Sequence, residues 1–155
     1  MSHDAVLREV AVRDVVLGKE VTIYQPANIY GCTLGDRVFI GPFVEIQKNA
    51  RIGAGTRVQS HSFICEDVQI GNDCFIGHGV TFANDLFKEG APNADSSQWL
   101  TIRIGDNVSI GSGATILAAE ICSGSVIGAG SVVVKSIVEK GVYAGNPAKL
   151  LRKLP

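Results

Sequence analysis

The chain has 155 residues, 46% of them hydrophobic, which is enough for one domain with a sizeable core and excludes a disordered chain. Fourteen Lys and Arg against fifteen Asp and Glu leave a formal charge of −1, so the overall charge points to neither a nucleic acid nor a membrane as partner, and any anionic ligand has to be held locally. No signal-like apolar run opens the sequence, no stretch is apolar for long enough to span a bilayer, and Cys32, Cys65, Cys74 and Cys122 lack CxxC spacing; a cytoplasmic protein with reduced thiols is expected.

Residues 1–33 carry a loose version of a pattern, Leu17-Gly18, Ile23 and Ile29, that suits an atypical capping coil. From Leu34 the pattern is strict. An apolar residue recurs every sixth position at Leu34, Ile40, Ile46, Ile52, Val58, Ile64, Ile70, Ile76 and Phe82. A period of six fits neither an amphipathic helix nor an alternating half-buried strand. It fits short strands joined by corners, with three hexads closing a triangular coil and stacked aliphatics filling the centre. Glycine follows the repeating aliphatic at Gly41, Gly53, Gly71, Gly77, Gly105, Gly111 and Gly128, and is read as the residue that permits unusual backbone angles at the corners.

The repeat stops over residues 83–103, a polar segment holding Asn84, Asp85, Lys88, Glu89, Asn93, Asp95 and Trp99. A solenoid does not need such an excursion, and long irregular loops in compact domains are usually functional. Hexads resume over 104–135 with Ile104, Ile110 and Ile116, drop one residue to Ile121, and continue through Ile127 and Val133; the slip predicts a tightened corner. Residues 136–155 form a C-terminal cap, in which the stretch containing Leu150, Leu151 and Arg152 is expected to be a short amphipathic helix. All 155 residues read as one domain.

The hexads between about residues 15 and 135 resemble the hexapeptide-repeat acyltransferases. That resemblance implies an all-β, left-handed parallel β-helix of hexapeptide repeats, with the loop extruded at about 83–103 and the helix closing the chain. The run Gly77-His78-Gly79-Val80-Thr81-Phe82-Ala83-Asn84-Asp85, with Thr101-Ile102-Arg103-Ile104-Gly105 after the loop, looks most like the nucleotide-sugar 3-N-acetyltransferases of the thymidine-diphosphate 3-amino-3,6-dideoxyhexose type. Gly145-Asn146-Pro147-Ala148-Lys149 resembles the close of many acetyl-CoA-dependent members. The resemblance implies a homotrimer whose loops reach adjacent subunits and wall active sites between them, acting in surface polysaccharide synthesis.

Acetyl transfer to an amine needs a deprotonated nitrogen, alignment with the thioester, and donors for the developing oxyanion. The candidates for this chemistry are Asn84 to orient a polar substituent, Asp85 to hold or deprotonate an ammonium, and His78 as proton acceptor. An Asx turn that merely starts the loop is the plainer reading of Asn84 and Asp85. The resemblance places coenzyme A along Gly111-Ser112-Gly113 and Gly128-Ala129-Gly130, where small residues admit the pantetheine; Lys135, Lys149 and Arg152 are the nearest candidate cations for its phosphates. Glu45, Gln47, His61 and Asn84 are the candidate contacts for the nucleotide sugar, in a region where Gln25, Asn28, Tyr30 and Lys48 add polar groups. His61 and His78 are 17 residues apart, one short of a full coil, and are expected near one corner.

Other readings use the same residues. An O-acetyltransferase of a sugar or small hydroxyl acceptor would depend on His78. A non-catalytic trimeric scaffold would use none of them. A zinc enzyme of the γ-carbonic-anhydrase kind would need three histidines, and the sequence has His3, His61 and His78; no metal is expected.

Overall fold

The computed structural model describes residues 9–117 and 119–155. Nearly every element is a strand of two residues, and every strand but the last pairs in parallel with the strand one coil away. Three flat faces result. Face 1 has seven strands, Val12–Arg13, Asn28–Tyr30, Glu45–Ile46, Phe63–Ile64, Thr81–Phe82, Thr115–Ile116 and Val132–Val133. Face 2 has six, from Val16–Leu17 up to Glu120–Ile121, and face 3 has eight, from Thr22–Ile23 up to Ala148–Lys153. The chain visits the faces in the order 1, 2, 3 and rises one strand per coil, giving the left-handed parallel β-helix of hexapeptide repeats.

In the regular coils from Asn28 to Val133 the second residue of each strand points inward. Ile29, Ile46, Ile64, Phe82 and Ile116 form one buried ladder, Leu34, Ile52, Ile70, Ile104 and Ile121 a second, and Ile40, Val58, Ile76, Ile110 and Ile127 a third. Register is kept because identical shapes stack on one another: Ile70 pairs with Ile52 and Ile104, and Ile110 with Ile76 and Ile127. The missing residue between Ile116 and Ile121 is absorbed at a corner, since Ile104 still pairs with Ile121.

The glycines that follow the aliphatics have a different cause from the one expected. Gly41, Gly53, Gly71, Gly77, Gly105, Gly111 and Gly128 do not have positive φ; the left-handed positions come two residues later, as at Arg37, Phe43, Asp73 and Gly113. What these glycines supply is room. A Cβ on Gly53 would lie 2.4 Å from the carbonyl of Gly71 in the next coil, far inside van der Waals contact.

The C-terminal helix is a correction. Residues Gly141–Gly145 extend face 3 in parallel, and Ala148–Lys153 folds back on them as an antiparallel strand with a bulge between Val142 and Tyr143. The upper edge of face 3 presents unpaired backbone groups, and hydrogen bonding to them outweighs the helix preference of a segment too short to hold a helix alone. Among the described residues, no helix is long and apolar enough to cross a membrane.

Candidate functional site

His78 sits on the edge between faces 3 and 1. The Phe75–Ile76 strand ends at buried Ile76 and Gly77 abuts the next coil, so the chain turns and leaves His78 exposed. Its Nδ1 lies 2.8 Å from Oγ of Ser60, one coil below, and its backbone N–H donates to Oγ of Ser112, one coil above, at 3.2 Å. The imidazole is thus held by one nitrogen while the other faces out. His61 follows Ser60 on the same corner, and its ring stacks on Phe43 at 4.8 Å and 16°. The two histidines share an edge, as their spacing predicts, but have separate partners.

Above His78 the same edge is bare backbone. Gly111-Ser112-Gly113 and Gly128-Ala129-Gly130 stack there, and Gly79, Gly113 and Gly130 hold the left-handed turn with φ of 64°, 70° and 66°. A Cβ at any of these three would meet nothing within 4 Å. On the neighbouring edge, between faces 2 and 3, the equivalent Gly55 and Gly124 are crowded by Asp73 and Lys140. Below His78 the left-handed positions belong to Phe43 and His61. The edge therefore changes at His78 from an aromatic surface to an open strip with outward-facing small residues.

Asn84 and Asp85 lie on the other side of face 1, at the edge shared with face 2. Asn84 is 8% exposed; its Nδ2 donates to the Glu66 carbonyl at 3.1 Å, and its own carbonyl accepts from Leu100 N–H at 2.8 Å. These bonds close the neck of the loop. Asp85 organises the loop itself, with Oδ1 accepting from Phe87 N–H at 3.0 Å and Oδ2 from Asn93 N–H at 2.7 Å. The Asx turn that the sequence offers as the alternative to a catalytic role is present at Asp85, and each oxygen keeps a second lone pair. Asp95 caps the short 3₁₀ turn Ser96–Gln98; the Ser97 hydroxyl, then Gln98 and the Ser97 N–H, hold its carboxyl below the usual range. Trp99 Nε1 donates to the Asn93 carbonyl at 2.9 Å. The loop encloses a cavity of about 530 Å³ walled by Asn84, Asp85, Lys88, Glu89 and Trp99 among others, within the size range of ligand pockets.

The remaining candidates spread over the molecule. Glu45 is on face 1, with Oε1 accepting from Gln47 Nε2 at 3.0 Å. Beside them burial raises the Tyr30 hydroxyl above its ordinary range, and the charges of Glu45 and Glu66 add to the effect. Lys48 pairs with Glu66 at 3.4 Å. Lys149 and Arg152 are exposed on the last strand, opposite Ala144 and Val142, whereas Lys135 stands on the edge between faces 1 and 2. The hairpin turn meets the bare strip, where Gly145 N–H donates to Ser131 Oγ at 3.1 Å. His78, His61, the two glycine segments and the turn before Lys149 thus share one edge; Asn84, Asp85, Gln47 and Lys135 share the next. His3 lies outside the described residues, and no group of three His, Cys, Asp or Glu among those described is placed to hold a metal.

Residues 31–66 and 49–84 match the bacterial transferase hexapeptide family (six repeats), and residues 101–135 match the hexapeptide repeat of succinyl-transferase. The chain belongs to the hexapeptide-repeat transferase family. Among curated relatives, this hexapeptide transferase is 36% identical over 126 residues to the Saccharomyces cerevisiae protein YJL218W, which carries an acetyltransferase name; the match covers 79% of the chain and 59% of the relative. Its fold matches PerB of Caulobacter crescentus, solved with CoA and GDP-perosamine, with TM-score 0.72 at 21% identity over 86% of the chain and 57% of PerB. It also matches a variant of AntD, an N-acyltransferase of Bacillus cereus solved with dTDP and coenzyme A, with TM-score 0.76 at 19% identity over 90% and 84%. The chain spans under three fifths of the yeast relative and of PerB.

Two residues of this hexapeptide transferase's edge escaped sequence reasoning. Ser60 precedes His78 by one coil of 18 residues, and that offset is the signal that would have found it. Gly79 reads as an ordinary hexad glycine until its φ and open surroundings separate it from Gly77.

Proposed function

We propose that the protein transfers an acetyl group from acetyl-CoA to the amino group of a nucleotide-linked amino sugar, a 3-amino-3,6-dideoxyhexose, as a homotrimer in cytoplasmic surface-glycan synthesis. The observation that carries this reading is the bare strip above His78, where three successive left-handed glycines leave the backbone open to an extended ligand. A pantetheine arm on that strip brings its thioester down to His78. The amine lone pair attacks the carbonyl carbon, the C–N bond forms, the C–S bond breaks, and the proton lost by nitrogen leaves with the thiolate. Lys149 at the head of the strip, with Arg152 farther back along face 3 and Lys135 on the other edge, suits the phosphates of the donor. Asn84 and Asp85 lie one face away from His78, so loop and strip meet where the loop of one copy closes over the strip of another.

A second reading, transfer to a hydroxyl, draws on the bond between His78 and Ser60. If Nδ1 donates to Ser60 Oγ, Nε2 has its lone pair outward, as a general base requires. The test is incubation with acetyl-CoA and a panel of nucleotide-linked 3-amino, 4-amino and unaminated sugars, with products weighed by mass spectrometry and challenged with mild base. Acetyl products that survive base and arise from amino sugars alone, with activity retained in His78→Ala, are expected. A base-labile product abolished by His78→Ala would favour the hydroxyl acceptor; no product from any sugar would overturn both.

A further inference from the structure

The edge that carries the bare strip continues below His78 into a hollow of about 220 Å³. Pro26, Ala27 and Val44 supply apolar walls, the half-exposed ring of Phe43 an aromatic one, and Asn28 and Glu45 the polar groups. Its volume is below the roughly 300 Å³ at which whole-ligand pockets begin, so it suits one ring system rather than an entire substrate. The Phe43 ring is braced by its stack on His61, which makes it a fixed wall rather than a mobile side chain. One oxygen of Glu45 accepts from Gln47 Nε2; as a carboxylate its two oxygens can accept and never donate. Below the hollow, Arg13 Nη1 donates to Asn28 Oδ1 at 3.2 Å with its guanidinium 4.6 Å over the Tyr30 ring, which leaves the Asn28 amide N–H groups free toward a ligand.

We propose that this hollow takes the base of the acceptor nucleotide and that the base is guanine. The proposal rests on the nucleotide-sugar reading above and departs from the thymidine nucleotide that the family resemblance implies. Guanine alone among the common bases presents two adjacent N–H donors on its pairing edge, N1–H and the 2-amino group, and these match the two oxygens of one carboxylate. Thymine and uracil present a single N–H flanked by two carbonyl oxygens, which a carboxylate repels. Adenine and cytosine each set an acceptor nitrogen beside their amino group. Phe43 and His78 are two coils apart on this edge, about 10 Å at the strand spacing of β-structure, a distance that a diphosphate and sugar can bridge. Donor and acceptor would then approach His78 from opposite ends of one edge.

The test is calorimetric titration of the full-length protein with GDP, dTDP, UDP and ADP, alongside the panel assay. GDP is expected to bind about tenfold or more tightly than the others, the discrimination typical of a bidentate pair. Glu45→Gln, which keeps shape but turns one acceptor into a donor, is expected to remove that preference while dTDP binding stays within about twofold. Phe43→Ala is expected to weaken all four alike. Equal affinities in the wild type, or equal loss of GDP and dTDP binding in Glu45→Gln, would overturn the assignment. Acetyl transfer to dTDP-linked sugars without any GDP preference would overturn the base alone; failure of every nucleotide to bind and of every nucleotide sugar to react would overturn the nucleotide-sugar reading, and the guanine assignment with it.

Discussion

At the scale of the residue, two kinds of glycine that look alike in the sequence do different work. Gly53 fills a gap too narrow for a methyl group, because the Gly71 carbonyl is 2.4 Å from its missing Cβ. Gly53→Ala is therefore expected to cost about 3 kcal/mol in urea unfolding, at the upper end of ordinary overpacking. Gly113→Ala meets no neighbour and bears only the cost of a left-handed alanine, about 1 to 2 kcal/mol; equal losses would refute the distinction. The thiols give a second test. Burial pushes Cys32 up to about 11 and Cys65 up to about 12, and raises Cys74. An unfolded thiol ionises near pH 8.5, so above that pH the unfolded chain releases protons that the folded chain keeps. Stability then falls as pH rises from about 8.5 to about 11, by about 1.4 kcal/mol per unit for each such thiol. Denaturant melts at several pH values should show a shallower decline in Cys65→Ala; an identical decline would contradict the cause.

At the scale of the element, the loop is built separately from the core beneath it. Its neck rests on Asn84 and its interior on the two oxygens of Asp85. Asp85→Ala should loosen residues 86–99 while leaving the melting temperature nearly unchanged, read out as faster tryptic cleavage at Lys88. A large fall in melting temperature would mean that the loop is part of the core after all. The strands were legible in the sequence because burial has a period of six, and Ile40, Ile76 and Ile110 stand inward for that reason alone. The loop was legible as the place where the period fails. The closing hairpin was not, because Leu150, Leu151 and Arg152 take their conformation from the backbone edge of Gly141–Gly145, a partner that local pattern does not reveal. For the same reason Asn84 and His78, six residues apart in sequence, could be read as neighbours, while a whole face of the prism separates them.

At the scale of the whole molecule, the separation of strip and loop onto different edges makes the assembly part of the proposed chemistry. Each copy offers a strip beside His78 and a loop at Asn84, and in the proposed homotrimer a three-fold arrangement would repeat their meeting at every interface. The measurement that tests this most directly is acetyl-transfer activity in mixed oligomers of two inactive variants, Gly113→Trp, which blocks the strip, and Asn84→Ala, which removes the base of the loop. If each site takes its strip from one copy and its loop from another, co-assembled variants should recover about a quarter of the wild-type rate, the share of interfaces at which both intact parts meet. Failure of any mixture to recover activity, with both variants folded and co-assembled, would contradict the shared site.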